Sequence, residues 1–158
     1  MDIKLNVDNM KFKYRVSAII ENDDEILVIG DEKGDYEYLP GGHVMMNETC
    51  EEAMKRELKE ELSIDIKNMR AVWFNQAFFE NDVSKIRFHE ICMYYLIDIK
   101  DTNLIKKEKP YTIKEGKHTF RLRWVKKKEL KNQYFYPVFL KEKIMNIPEN
   151  LEMIIEKE

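Results

Sequence analysis

GHVMMNETCEEAMKRELKEELSI, residues Gly42–Ile64, holds most of the chain's structural and functional information. Thr49 and Glu52 have capping-box spacing, so the Thr49 hydroxyl and the Glu52 carboxylate can satisfy amides of a helix's first turn. No Gly or Pro interrupts the following dozen residues, and Ala53, Met54, Leu58 and Leu62 recur at helical period. The spacing predicts a helix from about Cys50 to Glu61. Glu57, Glu60 and Glu61 stand at i, i+3 and i+4, so they share one side, over roughly 100° of the helix wheel. They adjoin the edge of the apolar stripe, where core meets solvent. Three carboxylates held so close repel one another and raise their own pKa values. A hard divalent cation relieves that repulsion, and an all-oxygen donor set favours Mg²⁺ or Mn²⁺ over zinc. A solvated acidic helix face paired with neighbouring lysines accounts for the same spacing. Arg56 lies four residues before Glu60 and two turns beyond Glu48; its guanidinium can clamp such carboxylates and fix their rotamers. Before the helix, Pro40-Gly41-Gly42 permits a tight backbone path whose amides or carbonyls can face a site.

Outward from this run the sequence is dominated by strands. Tyr14–Ile20 and Ile26–Ile29 flank an Asn/Asp cluster and are expected to pair as a hairpin. Tyr36–Leu39 is a short strand candidate. Residues 70–79 and 86–99 are rich in aromatic and β-branched residues, and Glu80-Asn81-Asp82 joins them as a turn. Residues 101–116 are polar and Lys-rich and read as loop. Phe120–Val125 is a strand, Lys128–Leu130 a short turn or helix, and Pro137 the first turn of a helix reaching Met145. Met153–Ile155 is an edge strand or a helix end. No repeat, linker, GxGxxG or P-loop occurs, so a dinucleotide-binding unit and a Walker-type site are not indicated. The 158 residues are expected to form a single α/β domain, a mixed β-sheet with helices on both faces.

Charged residues make up 36% of the chain, with the signs interspersed, and the net charge is −3. That balance gives no support for a broadly basic nucleic-acid surface. An acidic chain that binds phosphates needs a cation or a local basic lining. Cys50 and Cys92 form no CxxC pair and suggest free, small core residues. The sequence shows neither a signal peptide nor an apolar run long enough to cross a bilayer, so a soluble cytoplasmic protein without membrane partners is expected.

Residues 42–64 resemble the signature of the Nudix hydrolases: Gly42, five residues, Glu48, seven residues, Arg56-Glu57, the aliphatic Leu58, one residue, Glu60-Glu61, one residue, then Ser63 where the family has Gly, and Ile64. The approach through Leu39-Pro40-Gly41, and later Arg123-Trp124-Val125 with Glu129-Leu130, extend the resemblance over most of the chain. It implies an α/β/α sandwich. It also implies metal ligation by Glu57, Glu60 and Glu61, with the Gly42 carbonyl as an extra ligand, and hydrolysis of a nucleoside diphosphate derivative or nucleoside triphosphate at its pyrophosphate linkage. Glu57 and Glu60 are both general-base candidates, with Glu48 and Arg56 as scaffold. Alternatives on the same fold are a non-catalytic nucleotide-sensing or protein-binding module, a pyrophosphohydrolase of capped RNA 5′ ends, and isomerisation of an isoprenoid diphosphate. The partner implied is a small nucleotide; homodimers are frequent among related proteins.

Outside the signature, Glu90 alternates with Cys92, Tyr94 and Leu96, and an acid on an apolar strand face calls for a metal or an ion-pair partner. It is a candidate late metal ligand. Glu115 is a weaker base candidate on a polar segment. Trp73, Phe78 and Phe79 are candidates for stacking on a base or for core packing, and Tyr134–Tyr136 for lining a base pocket or a dimer contact. Arg15, Arg87 and Lys117 are phosphate-contact candidates, and the three histidines show no zinc-ligand spacing.

Overall fold

The computed structural model describes residues 1–104 and 109–158. In chain order they form β1 (Lys4–Val7), β2 (Met10–Ile19), β3 (Glu21–Asn22), β4 (Glu25–Asp31), β5 (Gly41–His43), α1 (Cys50–Leu62), β6 (Met69–Glu80), β7 (Arg87–Ile97), β8 (Tyr111–Glu115), β9 (His118–Lys126), a 3-10 helix (Lys127–Asn132), α2 (Leu140–Lys143) and β10 (Glu152–Lys157). The larger sheet is mixed, with order β1-β2-β7-β6-β10 and β5 beside β2; the smaller has order β3-β4-β9-β8. β2 runs parallel to β7, and β10 parallel to β6, while β6 and β7 form the long antiparallel hairpin predicted from their composition.

Side-chain alternation explains the layers. Val16, Ala18 and Ile20, with Leu27, Ile29, Tyr95 and Ile97, face α1 and bury its Ala53, Met54 and Leu58. The intervening Ile19, Ile26, Val28, Cys92 and Tyr94 face the opposite way, toward Leu130 of the 3-10 helix and Leu140 and Ile144 at α2. This period-2 sorting is what a sheet covered on both faces requires. The chain therefore has the α/β/α arrangement anticipated, with α1 on one side and the short helices on the other.

Four expectations change. β2 does not pair with β4: β7 occupies one side of β2, while β1 and β5 occupy the other, leaving no free edge. The chain instead leaves β2 at Ile19, turns through Asp23 at φ 54°, and starts the smaller sheet with the β3–β4 hairpin. The segment read as loop over residues 101–116 contains β8, which turns at Gly116 (φ 58°) to pair with β9; residues 105–108 of that segment lie outside the described residues. The helix expected from Pro137 is regular only over Leu140–Lys143. The Tyr36–Leu39 strand reduces to isolated bridges, Tyr38 with Ile29 and Glu37 with Phe135. No helix among the described residues is long and apolar enough to cross a membrane, a statement that says nothing of strands.

Candidate functional site

α1 is fixed at both ends. Thr49 Oγ1 accepts the Glu52 amide, and Glu52 Oε2 accepts the Thr49 amide at 2.8 Å, completing the capping box. Ser63 stops the helix in the left-handed conformation at φ 57°, its amide donating to the Leu58 and Lys59 carbonyls. The turn is thus made with Ser where glycine would serve without strain.

The preceding Gly41-Gly42 lies directly against this helix. A Cβ on Gly42 would stand 2.3 Å from the Glu57 carboxylate, and one on Gly41 would stand 2.1 Å from the Val16 carbonyl oxygen. Gly41 also has φ +148°, which side-chain-bearing residues avoid. Its amide donates to Glu61 Oε2 at 3.0 Å. The two glycines therefore have different duties: Gly41 lets the backbone touch β2, and Gly42 leaves room for Glu57.

Arg56 ties the cluster together. Its Nε and Nη2 donate to the two oxygens of Glu48 at 2.7 and 2.9 Å. Nη1 donates to Glu57 Oε1 at 2.7 Å and to Glu60 Oε2 at 3.3 Å, and Nη2 also reaches the His43 carbonyl at 2.9 Å. Glu48 accepts the Met45 amide as well, at 2.9 Å. The Arg56 hydrogen bonds hold Glu48 below the usual carboxylate range. The His43 carbonyl and the Gly41 amide are contacts that spacing alone could not reveal, because they depend on how β5 passes beneath the helix.

Glu57 and Glu61 are each only 8% exposed, whereas the Glu60 side chain is nearly half exposed. Burial raises Glu57, opposed by its Arg56 hydrogen bond, with Glu60 and Glu115 adding repulsion. Burial pushes Glu61 up to about 8, reinforced by Glu57 and then Glu115, and opposed by the Gly41 amide and Arg15. The shift predicted from mutual repulsion is present, but desolvation is its larger cause. Glu115, at the end of β8, is close enough to repel both acids.

The test for a divalent cation gives a mixed geometry and a consistent chemistry. Among the described residues, no three His, Cys, Asp or Glu side chains converge as a ready-made metal group. Yet Glu61 is buried near Glu57 and Glu115, with the Gly41 amide as its hydrogen-bond partner among the described residues, a carboxyl group that a bound cation would favour ionising. The donors are all carboxylate oxygens, which suits Mg²⁺ or Mn²⁺.

The other residues singled out from sequence are dispersed. Glu90 lies on the face of β7 shared by Cys92 and Tyr94, opposite to the face packed on α1, with Arg15 Nη1 3.9 Å away. Trp73 is fully buried against Phe139, with ring centroids 5.7 Å apart. Phe78 stacks on His89 at 4.3 Å, and Phe79 on Phe88 at 4.9 Å. Tyr134 and Tyr136 join the exposed Tyr36 in an edge-to-face cluster. Arg87 and Lys117 are exposed. Cys50 and Cys92 are free, Cys50 within 2.9 Å of the Tyr14 hydroxyl.

The sequence matches the NUDIX domain family model over residues 11–143. No curated protein matches the chain. Among solved structures, the MutT protein of Bacillus halodurans superposes with a TM-score of 0.69 at 16% identity, covering 92% of this chain and 89% of that one. A MutT NUDIX hydrolase from Burkholderia pseudomallei gives 0.56 at 23% identity, covering 73% and 84%. The E. coli ORF135 protein gives 0.53 at 25% identity, covering 89% and 93%.

Proposed function

The chain belongs to the NUDIX domain family, and from that premise we propose that it is a Mg²⁺-dependent hydrolase of the pyrophosphate linkage in a nucleoside diphosphate derivative or nucleoside triphosphate. The observation that carries the reading is the seating of Glu57 and Glu61 on the Gly41-Gly42 backbone, with Arg56 fastening Glu57 and Glu60 to Glu48.

In this reading Glu57, Glu60 and Glu61 hold the cation, with the Gly42 carbonyl beside them; Mn²⁺ substitutes for Mg²⁺. The bound ion would neutralise charge on the phosphate oxygens and lower the pKa of the attacking water. The protein's own work is positioning. Arg56 fixes the carboxylate rotamers, and hydrogen bonds that orient metal ligands in this way typically carry about tenfold to a hundredfold in metal affinity. The Gly41 amide holds Glu61 in place. Glu60, exposed and bonded to Arg56 at 3.3 Å, is free to take a proton from water. Glu57, raised by burial, is the competing base. Glu90 stands apart beside Arg15, and a lowered metal affinity in Glu90→Gln would bring it into the ligand set.

The test is incubation with Mg²⁺ and a panel of nucleoside triphosphates, dinucleoside polyphosphates, ADP-ribose and nucleotide sugars, with products identified by mass. Release of phosphate, pyrophosphate or nucleoside monophosphate is expected, with a strong loss of turnover in Glu60→Gln and Glu61→Gln. Full activity in those variants overturns the ligand assignment. No turnover across the panel, with nucleotide binding retained, favours the non-catalytic reading.

A further inference from the structure

Arg15 carries a hydrogen-bond donor that the described residues leave unsatisfied. It sits on β2 at the position paired with His43 of β5 and with Cys92 of β7. Its side chain is 22% exposed, and its Nε is buried with no hydrogen-bond partner among the described residues. Glu90, the acid paired with it among the described residues, is 3.9 Å from Nη1, beyond hydrogen-bond range. By contrast Arg56, equally exposed, has every one of its three nitrogens engaged. A guanidinium offers five donors in a planar fork, and burying a donor of it unpartnered is unfavourable unless an anion completes it. An orphaned buried donor of this kind calls for a ligand.

Its location gives that ligand a class. β5 is a three-residue strand at the sheet edge, and strands lie about 5 Å apart. Arg15 is thus one strand from Gly41 and Gly42, the residues on which Glu61 and Glu57 rest, but it points to the face of β2 away from α1. It is near enough to Glu61 to lower that group's pKa. The His43 ring lies across from it, and the His43 Nε2 is likewise buried without a partner. Two orphaned nitrogens therefore flank one short edge strand, and the carboxylates lie on its other face.

We propose that Arg15, assisted by His43, is a phosphate-binding residue that grips the end of the substrate not held at the α1 carboxylates. The inference rests on the phosphate-ester reading above and adds a second anchor to it. A fork-shaped cation recognises phosphate bidentately, which lysine cannot reproduce. Glu90 keeps the guanidinium from collapsing onto other groups without consuming its donors.

The experiment uses inorganic pyrophosphate as sodium salt, with EDTA present, and reads binding by calorimetry and by thermal shift against sodium chloride of equal ionic strength. Working without metal separates this site from the proposed cation site. The double variant Arg15→Gln with Glu90→Gln removes both charges together, so neither is left stranded. It is expected to bind pyrophosphate at least tenfold more weakly while melting no lower than the wild-type protein. Arg15→Lys is expected to retain the charge but lose at least threefold in affinity. Unchanged affinity in Arg15→Lys and in the double variant overturns the proposal, as does a double variant that fails to fold while Arg15→Lys binds normally, which makes Arg15 structural. Hydrolysis without any dependence on Arg15 sinks this inference alone; Arg15-dependent binding without hydrolysis of any panel compound sinks the hydrolase reading alone.

Discussion

Replacing Glu61 with Gln removes a pH dependence that the buried carboxylate imposes on the metal-free protein. Glu61 is 8% exposed, and burial with its acidic neighbours lifts its pKa from 4.5 to about 8. In the unfolded chain it titrates near the ordinary value. Between pH 4.5 and about 8 the native state holds a proton that the unfolded state has lost, so stability falls as pH rises through that window and is flat above it. At 1.36 kcal/mol per pH unit the loss is about 5 kcal/mol by pH 8.5. For a chain of this length that corresponds to a melting temperature lower by roughly 10 °C. His43 imposes the opposite slope, because its depressed pKa favours the native state as pH rises from about 4 to 6.5. The informative quantity is therefore the difference between wild type and Glu61→Gln, followed by thermal unfolding in EDTA from pH 5 to 9. Gln keeps an acceptor for the Gly41 amide but carries no charge. The variant should gain on the wild type steadily from pH 5 to 8. Mg²⁺ added at pH 8.5 should then rescue the wild type and not the variant. Parallel pH profiles would refute the burial argument, while diverging profiles without Mg²⁺ rescue would refute the metal assignment and leave the burial argument standing.

Other consequences concern the supports of the site. Gly42→Ala puts a methyl group on the Glu57 carboxylate, a side chain that can swing away, so the melting temperature should change little while Mg²⁺-dependent turnover falls roughly tenfold or more. Gly41→Ala instead meets the Val16 carbonyl at a glycine-only φ and should cost about 3 kcal/mol or more in urea unfolding, with turnover per folded molecule the less informative reading. Arg56→Ala leaves Glu48 and Glu57 without their shared cation, a partly exposed loss of about 2 kcal/mol, and should weaken Mg²⁺ binding by about tenfold to a hundredfold in calorimetry. Ser63→Gly relieves a left-handed residue on an exposed helix end and should raise stability by about 1 kcal/mol in the same urea assay, with turnover unchanged.

Local chemistry was legible from the sequence because it is written in consecutive residues. The capping box at Thr49, the stripe of Ala53, Met54 and Leu58, and the reach of Arg56 to Glu48 and Glu60 follow from helical spacing, and the structure contains each of them. What the sequence withheld was decided by partners far along the chain. Tyr14–Ile20 followed by an Asn/Asp turn has the local form of a hairpin arm, yet β7, some seventy residues later, competes for the same backbone groups and wins by pairing with β2 along its whole length. β8 was hidden because its Tyr111 and Ile113 alternate with Thr112 and Lys114 on an edge strand, where one face needs no apolar residues. The same distinction separates the two cations of the site. Arg56 could be assigned from spacing because its acceptors, Glu48, Glu57 and Glu60, lie within eight residues of it. Arg15 could not be told from Arg87 or Lys117, because what sets it apart is a buried Nε without a hydrogen-bond partner among the described residues. That absence becomes visible only when β5 and β7 close around it from residues 43 and 92, placing Glu90 near enough to neutralise the charge in part and too far to occupy its donors.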